Sequence, residues 1–361
     1  MSKQLYFSKL DSLRFIAFFL VIWHHAFSNS FSDISNNHVI QTIIDQLTIT
    51  GGIGVHIFFV ISGFLITFLI LSEEKLNGKI NIPFFYVRRF LRIWPLYYLI
   101  VVLGIFVLPN LFETLRFEGN ITKNLLFLNN YDMLHTNSNV GIAWSVAIEE
   151  QFYFVWPLLF LLFKNKKVLI TISIILFILS TKFAVENPTQ AYFHTFGNLR
   201  FLMMGCIGAF LYSKYEQKVK GLSVMKPQKI YFAIIISLFF IVFSSFSSTI
   251  SFISLIVLPL TYLYFVVNLV LQGSSDHKTT IISTLGKYTY GMYLYHPLII
   301  IFFKILFDLL DLDYLSNSYI NFLLATLSLL VTIIVSYFSY EYFERKILKF
   351  KNRFSFIKTR I

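Results

Sequence analysis

Arg14 and His25 stand eleven residues apart in the first membrane-length apolar stretch, Leu10–Phe31 (LDSLRFIAFFLVIWHHAFSNSF). At ~100° per residue that spacing is about three helical turns, so the two side chains share one helix face, ~20° apart in azimuth and ~16 Å apart along the axis. His24 points ~80° away from that line by the same arithmetic. Charged and titratable groups are costly at such depth, and their default reading is functional. One face thus offers a fixed cation near its start and a proton acceptor deeper in.

Other segments also carry polar groups into apolar surroundings. FFYVRRFLRIWPLYYL places Arg88, Arg89 and Arg92 at i, i+1 and i+4 where the chain enters a third apolar segment. Such a cluster reads either as basic flanking that meets anionic lipid or as a clamp for phosphate, which guanidinium groups bind bidentately. Pro95 fits a helix start or a kink there. WSVAIEEQFYFVWPLLF carries Glu149 and Glu150 about two turns into a fourth helix. Their depth argues for a carboxylate that faces other helices and is hydrogen-bonded to a His or Arg. GGIGVHIFFVISGFLI brings small residues and His56, and KYTYGMYLYHPLII brings His296 beside Pro297. The glycines are read first as close helix packing, and His296 first as a packed structural residue. Glu341 and Glu344 sit beside Arg345 near the end.

These groups need elements to position them, and composition says which. The chain has 361 residues, 57% hydrophobic and 13% charged, with Cys206 as its one cysteine. A soluble domain carries about 25% charged residues, so most of this chain belongs in lipid. Ten segments approach the ~20-residue spanning length: Leu10–Phe31, Gly52–Leu71, Phe90–Leu108, Ile142–Phe163, Val168–Val185, Asn198–Tyr212, Ile230–Phe246, Ile250–Leu271, Tyr288–Phe307 and Tyr319–Phe343. Alternate intervening segments hold 23 of the 30 Lys and Arg residues, while the others hold only Arg116 and Lys123. By the positive-inside rule this predicts an all-α, polytopic integral membrane bundle of about ten helices with both termini cytoplasmic. The net charge of +12 is explained by that bias, so nucleic acid is not an expected partner. Residues 1–350 are expected to form a single transmembrane domain and residues 351–361 a short basic cytoplasmic tail. The first stretch is too long for a cleaved signal peptide and lacks a small-x-small site, so it reads as a retained helix.

Several chemistries find no support. One cysteine excludes an intrachain disulfide framework and a multi-Cys metal site. No HEXXH or paired His/Cys set suggests a metal, no GxSxG elbow suggests an α/β-hydrolase, and no His is followed five positions later by Asp. Asp311-Leu-Asp313 has the form of a DxD motif and lies in a loop.

Taken in order, LDSLRFIAFFLVIWHHAF, IFFVISGFLI, FYVRRFLRIWPLY, WSVAIEEQFYFVWPLL and TYGMYLYHPL resemble the signature regions of the acyltransferase 3 family of integral membrane acyltransferases. The resemblance runs from Leu10 to about Pro297, with Glu344 available to match a closing Glu. It implies transfer of an acyl group, commonly acetyl from acetyl-CoA, to a cell-envelope carbohydrate or glycolipid. It also implies a location in the bacterial inner or plasma membrane. Arg14 and His25 match the family's essential Arg and His, and Arg88, Arg89 and Arg92 match its Arg-rich junction. Glu149 matches the Glu of a Trp-Ser-Leu-x-x-Glu-like segment in which this chain has Val146 for Leu. Some members carry an added esterase-like domain. This length leaves no room for one, so the bundle and its loops are expected to recognise the acceptor themselves.

The expected chemistry follows. Arg14, Arg88, Arg89 and Arg92 would hold the phosphates of an acyl-CoA donor, with no metal. His25 would take the proton of an acceptor hydroxyl as it attacks the thioester, and Glu149 would orient the imidazole and stabilise its cation. Direct transfer and a transient acyl-His both satisfy the sequence. The main alternative is a carrier or flippase for an envelope glycan precursor, in which the same buried charges form a substrate or proton path. Its marker, broken helices in matching positions of two halves, is absent from the sequence.

Overall fold

A computed structural model describes residues 7–31, 38–48, 51–112, 115–133, 139–221, 227–273, 280–315 and 317–355. All ten apolar segments are helical, as lipid demands, because a helix satisfies its backbone groups within one segment. They correspond to α1 (Ser8–Ile22), α3 (Gly51–Asn77), α4 (Ile82–Val102), α5 (Trp144–Leu162), α6 (Lys166–Glu186), α7 (Thr195–Gly221), α8 (Pro227–Phe243), α9 (Ser248–Gly273), α10 (Thr289–Leu309) and α11 (Ser318–Ser339). An additional helix, α2 (His38–Thr48), precedes α3, and a short α12 (Arg345–Lys351) follows the last span. Among the described residues there is no strand, and eight helices are long and apolar enough to cross a membrane. The chain is therefore a multi-pass membrane protein.

Local sequence explains the boundaries that matter for the site. Gly78 ends α3 at φ +69°, a left-handed turn open to glycine without strain. Asn81 then caps α4 by accepting from the Phe84 N–H at 3.0 Å, with Pro83 in the first turn. So α4 begins eight residues before the apolar run starting at Phe90. The three arginines lie in its second and third turns, and Pro95 falls inside the helix. α1 loosens into a π turn over Trp23–Phe27 and a 3-10 turn over Ser28–Phe31.

Helices in lipid associate through close contact and hydrogen bonds. Gly63 of α3 and Gly205 of α7 meet this way: a methyl at Gly63 would overlap the Leu202 carbonyl, and one at Gly205 the Val60 carbonyl. Small residues in α3 thus serve packing, as their pattern suggests. Trp156 of α5 donates to Thr67 of α3 at 2.8 Å. Phe18, Phe59, Phe64, Ala147 and Leu294 fill the centre where these helices meet. Large apolar residues exposed on α6 (Ile174, Ile178), α8 (Phe232, Ile235) and α11 (Leu330, Ile334) form the outer surface that lipid would cover.

The basic tail is partly docked. Phe354 packs edge-on against Phe84 with ring centres 5.4 Å apart, and its carbonyl accepts from Arg88 at 2.7 Å. Residues 356–361 lie outside the described residues, as do residues 1–6 and the basic loop positions Lys226 and Lys278.

Candidate functional site

A cleft opens among α1, α3, α4, α5 and the start of α10, with roughly 820 Å³ of empty volume counting its mouth. Arg14, Arg89, Arg92 and Glu149 all line it, together with Ser62, Ser145, Tyr153 and Tyr293. Four of the six site residues expected from sequence therefore come together. Three guanidinium groups face one lining carboxylate, so the cleft favours an anion.

Each charge is set differently. Arg14 is braced by Asp11 one turn earlier, at 2.7 Å. Arg89 lies between the rings of Phe85 and Tyr153, 5.7 and 5.8 Å from their centres, and its Nε has no hydrogen-bond partner. Arg92 acts on the charge of Glu344, which sits in a further π turn, the third among the described residues, at Tyr340–Glu344 and accepts from Ser339 at 3.4 Å. Such π turns are frequent at functional positions.

Glu149 is held by neighbours the sequence does not single out. Ser62 donates to its Oε1 at 2.5 Å, and the one hydroxyl proton of Tyr153 is shared between Ser62 at 2.9 Å and Glu149 Oε2 at 3.2 Å. Arg14 and Arg89 are close enough to act on its charge. Among the described residues Glu149 accepts from no His or Arg side chain, so it does not orient the His25 imidazole as expected; hydroxyl groups reach the carboxylate instead. Glu150 instead accepts from Trp94 Nε1 at 2.7 Å.

Arg88 is directed elsewhere. It pairs with Glu73 at 2.6 Å, both side chains being largely buried, and donates to the Phe354 carbonyl. Glu73 also accepts from the Asn81 N–H at 3.0 Å, so this pair locks the α3–α4 turn to the tail. It does not line the cleft.

His25 lies beyond the cleft lining, in the π turn after α1. It is surrounded by protein yet keeps exposed surface, so its ring borders open space. Its Nδ1 is 3.3 Å from Nε2 of His296, which is fully buried. His24 turns to a different partner, the Thr48 carbonyl at 3.3 Å. The phase argument separates the two histidines in the same sense. Tyr293 connects this pair to the cleft: its ring meets His296 with centres 5.9 Å apart, and its hydroxyl is 2.6 Å from Ser145 Oγ. His296, Ser62, Tyr153 and Tyr293 thus join the candidate site, although the sequence assigns them no role in it; their signals are polar groups within apolar helices and places inside the segments that resemble the family's signature regions. Among the described residues no group of three or more His, Cys, Asp or Glu side chains is placed to hold a metal ion.

Comparison with known proteins gives a family and relatives. The family model described as an acyltransferase domain, acyltransferase 3, matches residues 7–341. The chain is 29% identical over 342 residues to a protein of Listeria monocytogenes named peptidoglycan O-acetyltransferase OatA, covering 83% of this chain and 51% of that one. It is also 29% identical over 357 residues to the O-acetyltransferase OatA of Staphylococcus aureus strain NCTC 8325, covering 86% and 55%. The chain spans about half the length of the curated relatives it matches. No solved structure matches it. A match of that extent, on a membrane-spanning bundle with this cleft, means that the chain belongs to the acyltransferase 3 family.

Proposed function

We propose that this protein is a membrane O-acyltransferase that moves an acetyl group from an acyl-CoA donor to a hydroxyl of a cell-envelope carbohydrate, with peptidoglycan as the leading acceptor. One observation carries the proposal: a cleft with three guanidinium groups is connected through Tyr293 to an imidazole that borders open space. The relatives' names supply the acetyl group and the glycan.

Arg14, Arg89 and Arg92 fit the phosphates of the donor, and the unpartnered Nε of Arg89 is a donor available to one of them. Arg88 supports the cluster from behind by fixing the start of α4. The acceptor oxygen attacks the thioester carbonyl carbon, forming a C–O bond as the C–S bond breaks. His25 takes the hydroxyl proton and returns it to the departing thiolate. Glu149 balances the guanidinium charges and keeps them apart. The helices act as one catalytic unit, with the Lys- and Arg-rich ends facing the cytoplasm and the donor entering from that side.

The test compares envelope glycans from cells with and without the protein by mass, then repeats the comparison with His25→Ala at equal membrane level. An acetyl increment that disappears in both cases is expected. An unchanged glycan profile, or full acetylation by His25→Ala, would overturn the reading.

A further inference from the structure

His296 is buried to 0% exposure in α10, and both of its ring nitrogens have partners. Its Nδ1 lies 3.3 Å from the Met292 carbonyl, and its Nε2 lies 3.3 Å from His25 Nδ1. A carbonyl oxygen can only accept, so the contact with Met292 requires the proton to be on His296 Nδ1. In a neutral ring the other nitrogen then carries a lone pair and accepts. The partner across the 3.3 Å gap must donate, which places a proton on His25 Nδ1. Among the described residues His25 Nε2 makes no hydrogen bond.

We infer that His296 is a positioning residue for the proposed transfer: the relay Met292 carbonyl–His296–His25 fixes His25 in the tautomer whose Nε2 is free to take the acceptor's proton. The inference rests on the reading of His25 as the base. It assigns to an imidazole, one helix away, the role that a carboxylate plays behind a catalytic His elsewhere. A neutral partner suits this depth. A buried carboxylate would add a charge in the low-dielectric interior, whereas the imidazole sets direction with none. The packing holds the geometry, because Phe18 and Tyr293 each meet the His296 ring edge-on, with centres 5.9 Å away. After transfer, the proton on His25 Nε2 returns to the thiolate, so Nδ1 and His296 never exchange protons with the substrate.

The test separates this role from simple packing. His296→Gln can place its amide oxygen near the former Nε2 and still accept from His25. His296→Leu fills similar space without an acceptor, and His296→Asn is polar but too short to reach. Acetyl transfer by purified protein in lipid vesicles, with acetyl-CoA and a soluble glycan fragment, is measured for each. We expect His296→Gln within about 5-fold of the parent. We expect His296→Leu and His296→Asn to lose kcat about 100-fold, comparable to the upper end of the 10–100-fold cost of removing a partner that orients a metal-bound His. KM for both substrates should stay within about twofold, since the tautomer matters to the proton transfer and not to binding. Parental kcat in either the Leu or the Asn variant would overturn the inference. So would a Gln variant as slow as the Leu variant with an equal melting temperature. His25→Ala, assayed alongside, tells the two failures apart: if it turns over, the reading of His25 as base falls and the inference with it. If it is inactive while His296→Leu is fully active, only the role of His296 falls.

Discussion

Ser62 and Glu149, from two different helices, meet at 2.5 Å, and the Tyr153 hydroxyl shares its one proton between them. The carboxylate therefore accepts on both oxygens at the point where Arg14 and Arg89 converge. An amide can accept on one side only, so Glu149→Gln leaves one donor facing an NH2 group and removes the charge that separates the guanidinium groups. We expect it to lower kcat/KM at least 100-fold. Ser62→Ala and Tyr153→Phe each remove one neutral donor, worth about 1 kcal/mol, and should cost about 5- to 10-fold. Steady-state transfer rates on protein matched for melting temperature check this order, and a Glu149→Gln variant as active as Ser62→Ala would contradict it.

Arg88 and Arg89 are neighbours in sequence and are expected to fail in different ways. Arg88 pairs with buried Glu73 and reaches the tail, whereas Arg89 lines the cleft. Leaving Glu73 buried without its partner should destabilise Arg88→Ala by about 3–5 kcal/mol, with turnover per folded molecule nearly retained. Arg89→Lys keeps the charge and loses the planar fork, so the fold should hold while KM for acyl-CoA rises about 10-fold. Thermal unfolding paired with initial-rate kinetics separates the two. A normal melting temperature for Arg88→Ala would mean that the pair does not hold the α3–α4 turn.

The crossing of α3 and α7 gives a prediction about fold alone. Because a side chain at Gly63 meets backbone rather than a movable side chain, Gly63→Ala must push the helices apart. A cost of about 1–3 kcal/mol is expected, with Gly63→Leu failing to accumulate in membranes. Yield and melting temperature in detergent measure it, and a neutral Gly63→Leu would show that the helices do not approach this closely.

Hydropathy marked all ten helical segments, because apolar length is a property of each segment by itself. Arg14, Arg89, Arg92 and Glu149 were each legible as well, since charge at depth stands out one residue at a time, but that they line one cleft was not. Nor were contacts between helices. Nothing in VRRFLR says that Arg88 turns to Glu73 while Arg89 turns inward; that depends on where α4 starts, eight residues before its apolar run. His296 read as a packed residue because its partner is 271 positions away. The π turn at Trp23–Phe27 alters the regular phase on which the spacing of Arg14 and His25 was computed, yet His24 and His25 still face different partners.

Arg200 is buried to 6% exposure and has no carboxylate partner among the described residues. It donates to the Gly197 carbonyl, and its Nε is without a partner. His56 and Tyr262, both close enough to act on it electrostatically, also leave a buried polar atom unpaired. The cluster thus holds a cation and two neutral groups that cannot neutralise it, with the His56 ring stacked on Phe201 at 3.9 Å. An uncompensated buried charge is costly, and a charge-assisted hydrogen bond typically contributes about 1.5–3 kcal/mol. His56→Glu supplies an acid close enough to act on the charge of the guanidinium. We expect it to raise the melting temperature by a few degrees and to leave acyl transfer unchanged, because His56 does not line the cleft. His56→Gln, similar in size but neutral, should give no such gain. Equal melting temperatures for the Glu and Gln variants would mean that the charge of Arg200 is already met by some other group.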